Sequence, residues 1–251
     1  GFFINVSVRD CDASGGVVCR ADSTSRSVGD RNVNWQFGSA FAIWKGAVSS
    51  DMTVAENWQP AGVPTAGTDV KVFANGGAVT LANPSRVPLE FRSLELDGQG
   101  GTVALTTAGG LAVEQDVVVG AGATLTLDGF GAAKTTIGGN LTLTGNGVLT
   151  HSGNATTEAC KLEVEVAGDV AIGSAASIDA KGKGYQSGCS AYGVALQGTS
   201  FASTIGKFGP AEGGGYYYGI WHDANRNTYG SALDSFRIGP GYSSHHGGGA
   251  V

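Results

Sequence analysis

The sequence DVVVGAGATLTLDG (residues 116–129) is followed by NLTLTGNGVLTHSG (140–153) and DVAIGSAASIDAKG (169–182), and the three align without a gap. SLELDGQGGTVALT (93–106) joins them if one residue is inserted at its turn. Each unit reads as a polar residue, an apolar-x-apolar step, a small turn, a second apolar step and a glycine. Starts at 93, 116, 140 and 169 lie 23, 24 and 29 residues apart. A repeat of this period predicts a solenoid, in which no unit buries its apolar face alone and neighbours must stack. The pairs Leu94/Leu96, Val117/Val119, Leu141/Leu143 and Val170/Ile172 sit two apart, which is strand periodicity. Short alternating runs punctuated by Gly-Ala-Gly, Gly-Asn-Gly and Gly-Ser-Ala turn the chain between strands. The expected fold is all-β: a right-handed parallel β-helix with one coil per repeat and an inward column of Val, Leu and Ile. An antiparallel sandwich built from similar strands is the competing arrangement.

Composition agrees with stacked coils. Glycine is 43 of 251 residues and charged residues are 14%, against about 25% in ordinary soluble domains. At 41% hydrophobic the chain does not have the make-up of a disordered one. The net charge is −6, and the 15 Lys and Arg are scattered, so the basic footprint of a nucleic-acid binder is missing. No run of 18 apolar residues exists to cross a bilayer as a helix. No signal peptide is visible, and Gly1-Phe2-Phe3-Ile4 reads as the start of a strand, so a mature end or the interior of a longer chain is expected here.

Three regions are expected. Residues 1–43 form an N-terminal β segment, a cap or a donor strand; Phe2, Phe3, Ile4, Val6 and Val8 would form one alternating strand able to pair with the open edge of a neighbouring subunit. Residues 44–182 form the β-helix, and residues 183–251 a Gly/Tyr-rich segment packed on it. Cys11 and Cys19 flank a hairpin-like turn, and Cys160 and Cys189 lie on either side of the last clear coil. This spacing predicts disulfides 11–19 and 160–189 and an oxidising compartment.

Trp44, then Asn57-Trp58-x-Pro60-x-x-x-Pro64, then Asp69-Val70 opening a strand, resembles the entry to β-helical modules of large secreted bacterial surface proteins, autotransporter-type passenger regions among them. IDAKGKGY, YGSAL and the terminal GGGAV are similar to a Gly-rich excursion that follows the coils in those proteins. The resemblance spans residues 44–251. It implies an extracellular or cell-surface location and a chain that continues past Val251 or ends on an exposed edge, which recruits partners unless covered. Prolines 60 and 64 stiffen the connection, and Trp58 is suited to plug the open end of a coil.

Chemistry is sparse. β-Helices also host polysaccharide lyases and hydrolases, which need paired carboxylates, but Asp97, Glu114, Asp116, Asp128, Asp169 and Asp179 are isolated in sequence, and Glu163/Glu165 read as a solvated strand face. Asp223, Asn225, Asn227 and Asp234 have the spacing of a calcium loop without its glycine, Thr228 standing in that place. His222, His245 and His246 read as surface residues. Thr124/Thr126 and Thr142/Thr144 resemble ice-binding solenoids, but those need the same threonine column on every coil; the column through Thr142 reads Glu95, Val118, Thr142, Ala171, so the regularity fails and no such array is expected. The expected function is structural and non-enzymatic: an extracellular building block of a bacterial surface fibre or adhesin, self-associating head to tail, with no obligatory cofactor. The alternative is a carbohydrate-binding or polysaccharide-degrading β-helix that applies Tyr and Trp of residues 183–251 to a glycan.

Overall fold

A computed structural model describes residues 2–22, 24–154 and 159–183. Two groups of parallel strands follow one another along the chain. The first comprises β1 (Phe2–Phe3), β2 (Ser7–Arg9), β3 (Cys19–Asp22), β4 (Arg26–Val28) and β5 (Trp35–Ser39). β1, β3 and β5 form one parallel sheet, while β2 and β4 form another. With Phe2 opposite Arg20 and Ser7 opposite Arg26, the N-terminal segment is itself wound in short coils.

That winding overturns two expectations. Phe2, Phe3, Ile4, Val6 and Val8 do not make one strand. Asn5 takes a positive φ of 52°, its N–H donates to Asp22 Oδ1 at 3.1 Å, and Val6 N–H donates to Ser25 Oγ at 3.0 Å. The corner sends Phe2–Phe3 and Ser7–Arg9 into different sheets, each paired within the chain. Nor do Cys11 and Cys19 face each other across a hairpin. Ala13 N–H bonds Val33 O and Cys19 N–H bonds Asn34 O, so both flanks of the turn run along the same next rung in parallel. Both cysteines are free thiols, and the expected bridge between them is not formed.

β6 (Phe41–Trp44) leads through a 3-10 turn (Ala55–Asn57) and β7 (Trp58–Gln59) into the main solenoid. Its coils carry three strands each, one more than the repeat in the sequence reveals. They are β8 (Asp69–Phe73), β9 (Ala78–Asn83) and β10 (Leu89–Phe91); β11 (Ser93–Asp97), β12 (Thr102–Thr107) and β13 (Leu111–Val113); β14 (Val117–Val119), β15 (Ala123–Leu127) and β16 (Thr135–Ile137); β17 (Leu141–Leu143), β18 (Val148–Thr150) and β19 (Val164–Val166). A last described pair, β20 (Val170–Ile172) and β21 (Ser177–Asp179), follows. First strands stack in the order β20-β17-β14-β11-β8-β6-β7, second strands as β21-β18-β15-β12-β9, third strands as β10-β13-β16-β19. Within the coils every pairing is parallel, and the units starting at 116, 140 and 169 are neighbours, Val117 over Leu141 over Val170.

The inward columns carry the core. Val72, Leu96, Val119 and Leu143 stack on the first sheet, Leu81, Leu105, Leu125 and Leu149 on the second, and Phe91, Val113 and Ile137 on the third, all nearly inaccessible. Each such side chain contributes roughly 1.5–3 kcal/mol of burial. The corners explain the glycines. Gly122 has φ +71°, a Cβ there would collide with the carbonyl oxygen of Gly101, and Asn146 Oδ1 accepts its N–H at 2.7 Å from the next coil. The insertion in the 93–106 unit is three residues, not one: residues 97–102 span the corner that 120–122 close in the next coil, because Leu96 pairs with Val119 while Val103 pairs with Ala123.

Candidate functional site

The N-terminal end of the three-sheet solenoid is closed by its own chain. β7 lies antiparallel on β6, Trp44 opposite Trp58, at the edge of the first sheet. Residues 50–52 add to the outer edge of β9 through Met52 N–H to Ala82 O at 3.0 Å and Ala82 N–H to Ser50 O at 2.7 Å. Buried Asn57 organises this cover. Its Oδ1 accepts from Val48 N–H (2.9 Å) and Ser49 N–H (3.1 Å), and its Nδ2 donates to Ser49 Oγ (2.9 Å) and Asp51 O (2.8 Å). An amide side chain supplies two donors and a two-lone-pair acceptor, so all four bonds are within its capacity. Trp58 donates Nε1–H to Met52 O at 2.8 Å and meets Trp44 edge-on, ring centroids 4.9 Å apart. The plug expected of Trp58 is in place, inside a cover that the sequence did not announce.

A second device joins the N-terminal coils to the solenoid. Asp69, 1% exposed, opens β8. Arg92 reaches it with Nε to Oδ1 at 2.8 Å and Nη2 to Oδ2 at 2.5 Å, Ser93 Oγ donates to Oδ1 at 2.7 Å, and Arg20 Nη1 reaches Oδ2 at 2.8 Å from β3. Burial pushes the carboxyl up, but the bonds from Arg92 and Ser93 and the two guanidinium charges outweigh it and hold the group below the ordinary carboxylate range.

At the last described rung of the first sheet, β20 is exposed along its whole length. Val170 and Ile172, which continue the inward columns, are 51% and 49% accessible where their counterparts one coil earlier are buried. The third sheet carries a groove of about 580 Å³ whose lining includes Ala112, Thr136, Ile137 and the glutamates Glu90, Glu114 and Glu165. Glu165 is paired with Lys134 at 2.7 Å, and Glu163 accepts the N–H of Gly131, so the Glu163/Glu165 pair serves the third-sheet surface.

One polar corner escaped the sequence reading. His151 is fully buried at the end of β18. Its Nδ1 lies 2.8 Å from Ser152 O, which makes Nδ1 the protonated nitrogen, and Nε2 has no partner among the described residues. Burial lowers its pKa. Asp128 accepts Ser152 N–H at 2.6 Å, and Asn154 holds Cys160 through its N–H (2.9 Å) and carbonyl (2.8 Å). Burial, with the Asp128 charge beside it, pushes the Cys160 thiol up to about 11. That thiol is therefore protonated at neutral pH and is no nucleophile. The only sequence signal for this corner was its offset: Asp128 and Ser152 stand one coil apart.

Among the expected site residues, Cys160 is a free thiol, and its expected partner Cys189 lies outside the described residues, as do Asp223, Asn225, Asn227 and Asp234, Tyr216 to Tyr218, His222, His245 and His246. Phe2, Phe3, Ile4, Val6 and Val8 fall on the first N-terminal coil, where β1 and β2 are edge strands of their two sheets. No group of three or more His, Cys, Asp or Glu able to hold a metal occurs among the described residues, and none of their helices is long and apolar enough to cross a membrane.

The stacked parallel coils define the molecule as a β-solenoid, a β-helical module whose main body has three faces. No protein-family model, no curated protein and no solved structure matches the chain.

Proposed function

We propose that this protein is a structural, non-enzymatic building block of a bacterial surface fibre or adhesin, working outside the cell as a stiff rod. The observation that carries the reading is the unbroken stack: three ladders of parallel strands around one apolar column leave little freedom to bend. The entry residues from Trp44 to Val70 support the likeness to secreted surface modules. The half-exposed Val170 and Ile172 on the last described rung, with the edge strands β1 and β2 on the first, favour head-to-tail contact. Such a heterologous contact, repeated, generates a filament. Light scattering across a concentration series, with negative-stain imaging, tests this. Rods that lengthen with concentration, and that shorten in Ile172→Lys, are expected; a monomer of constant mass at every concentration overturns self-association.

A second reading rests on the third-sheet groove, whose three glutamates favour an extended polar ligand such as a glycan. Binding to a glycan array, lost in Glu90→Gln, would support it, and turnover in a lyase or hydrolase assay would displace the structural reading.

A further inference from the structure

Thr124 and Thr126 do not belong to the face that carries Thr142. They lie on the second sheet, whose pairings bring Thr80, Ala104, Thr124 and Val148 into one outward column and Ala82, Thr106, Thr126 and Thr150 into a second. The alternate positions Leu81, Leu105, Leu125 and Leu149 are buried, so the two columns face away from the core. All eight positions are small and uncharged. The first charged outward positions on this sheet are Asp51, paired with Ala82 at one end, and Asp179, paired with Thr150 at the other. The other faces differ. The first sheet presents Lys71, Glu95, Val118 and Thr142 in one column, and the third Glu90, Ala112, Thr136 and Glu165.

We infer that the outward face of the second sheet is an ice-binding surface, its ligand a crystalline water lattice. Parallel rungs repeat at about 4.8 Å along the axis, and alternate residues of a strand at about 6.6 Å across it, so the face is a rigid two-dimensional grid. Threonine suits such a grid. Its branched Cβ restricts χ1, so hydroxyl and methyl stand in fixed places without a large entropy loss on binding. Hydroxyls anchor water by hydrogen bonds, and methyls order the water around them. Each site is weak, and only a ligand with its own lattice engages many at once. A charged or discrete ligand finds no ionic partner between Asp51 and Asp179. Threonine fills four of the six outward positions of β9, β12 and β15, with Ala82 and Ala104 in the other two, and at the fourth coil Thr150 is itself buried, its hydroxyl turned to Asp179 O at 2.5 Å.

Ice recrystallisation and thermal hysteresis of the full chain test the inference, with Thr126→Lys and Thr106→Lys on the grid and Thr142→Lys on the first sheet as control. Circular dichroism confirms that each variant is folded. The native protein is expected to restrain ice growth; either grid variant should lose at least about tenfold in potency, because a long charged side chain holds the lattice off the plane, while the control keeps full potency. Native protein without effect on ice, or equal loss in the Thr142 control, overturns the inference. So does a grid variant that breaks up a dimer without changing ice growth, since the face would then be an interface between two copies. None of these readouts depends on filament formation.

Discussion

Arg92 grips Asp69 with two nitrogens, one on each carboxylate oxygen, from the coil directly above it. The two residues stand one coil apart in sequence, and Arg20 closes on the same carboxylate from the N-terminal coils. One buried acid thus binds two successive coils of the solenoid to the segment that precedes it.

Removing Arg92 leaves the buried Asp69 carboxylate with only the more exposed Arg20 as counterion, and such a loss costs up to about 3 kcal/mol. Arg92→Met is expected to lower the urea midpoint markedly and to loosen residues 1–43 first, seen as faster amide exchange there. Arg20→Met should have a smaller effect, since its side chain is more exposed. Equal midpoints for the native chain and Arg92→Met would remove the clasp from the account.

His151 and Asp69 set two separate pH windows. His151 has a folded pKa below its ordinary 6.5, so as pH falls through that value the unfolded chain takes up a proton that the folded chain refuses. Stability is therefore full above about pH 7 and declines as pH drops below 6.5. Asp69 acts lower: its folded pKa lies below 3.8, so its contribution is present above that value and disappears as pH falls through the folded pKa. Melting temperatures between pH 8 and pH 5 should fall for the native chain and stay flatter for His151→Leu; identical slopes would contradict the buried neutral imidazole.

Thiol chemistry should rank the described cysteines. Cys160, held protonated by burial and by Asp128, is expected to alkylate more slowly at pH 8 than Cys11 and Cys19, neither of which is bridged in the structure. Peptide mapping after timed iodoacetamide, without reductant, reads this directly. Asp128→Asn should speed Cys160. Faster labelling of native Cys160 than of Cys11 would reverse the assignment, and an unlabelled Cys11–Cys19 pair would restore the bridge.

The solenoid was legible from the order of residues alone. Apolar pairs two apart, recurring at a coil's period between glycine corners, have few other ways to bury their faces, and Leu94, Val117, Leu141 and Val170 stack as their spacing requires. Trp58 as a plug was legible from its place in the proline-stiffened entry stretch before the coils. Tertiary structure alone decided the rest. The third strands were hidden because they fall in the spacers between the aligned units, and Thr-Thr-Ile buries a polar Thr135 where Leu-Ala-Val buries Leu111. The N-terminal alternation looked like one strand until Asn5 turned the chain, a choice made by Asp22 and Ser25 from the next coil. The pairing of Arg92 with Asp69, the isolation of His151 and the alignment of Thr106 with Thr126 depend on which residue lands over which. Corner lengths set that register, and a corner three residues longer leaves only a small mark on the sequence while moving every residue beyond it.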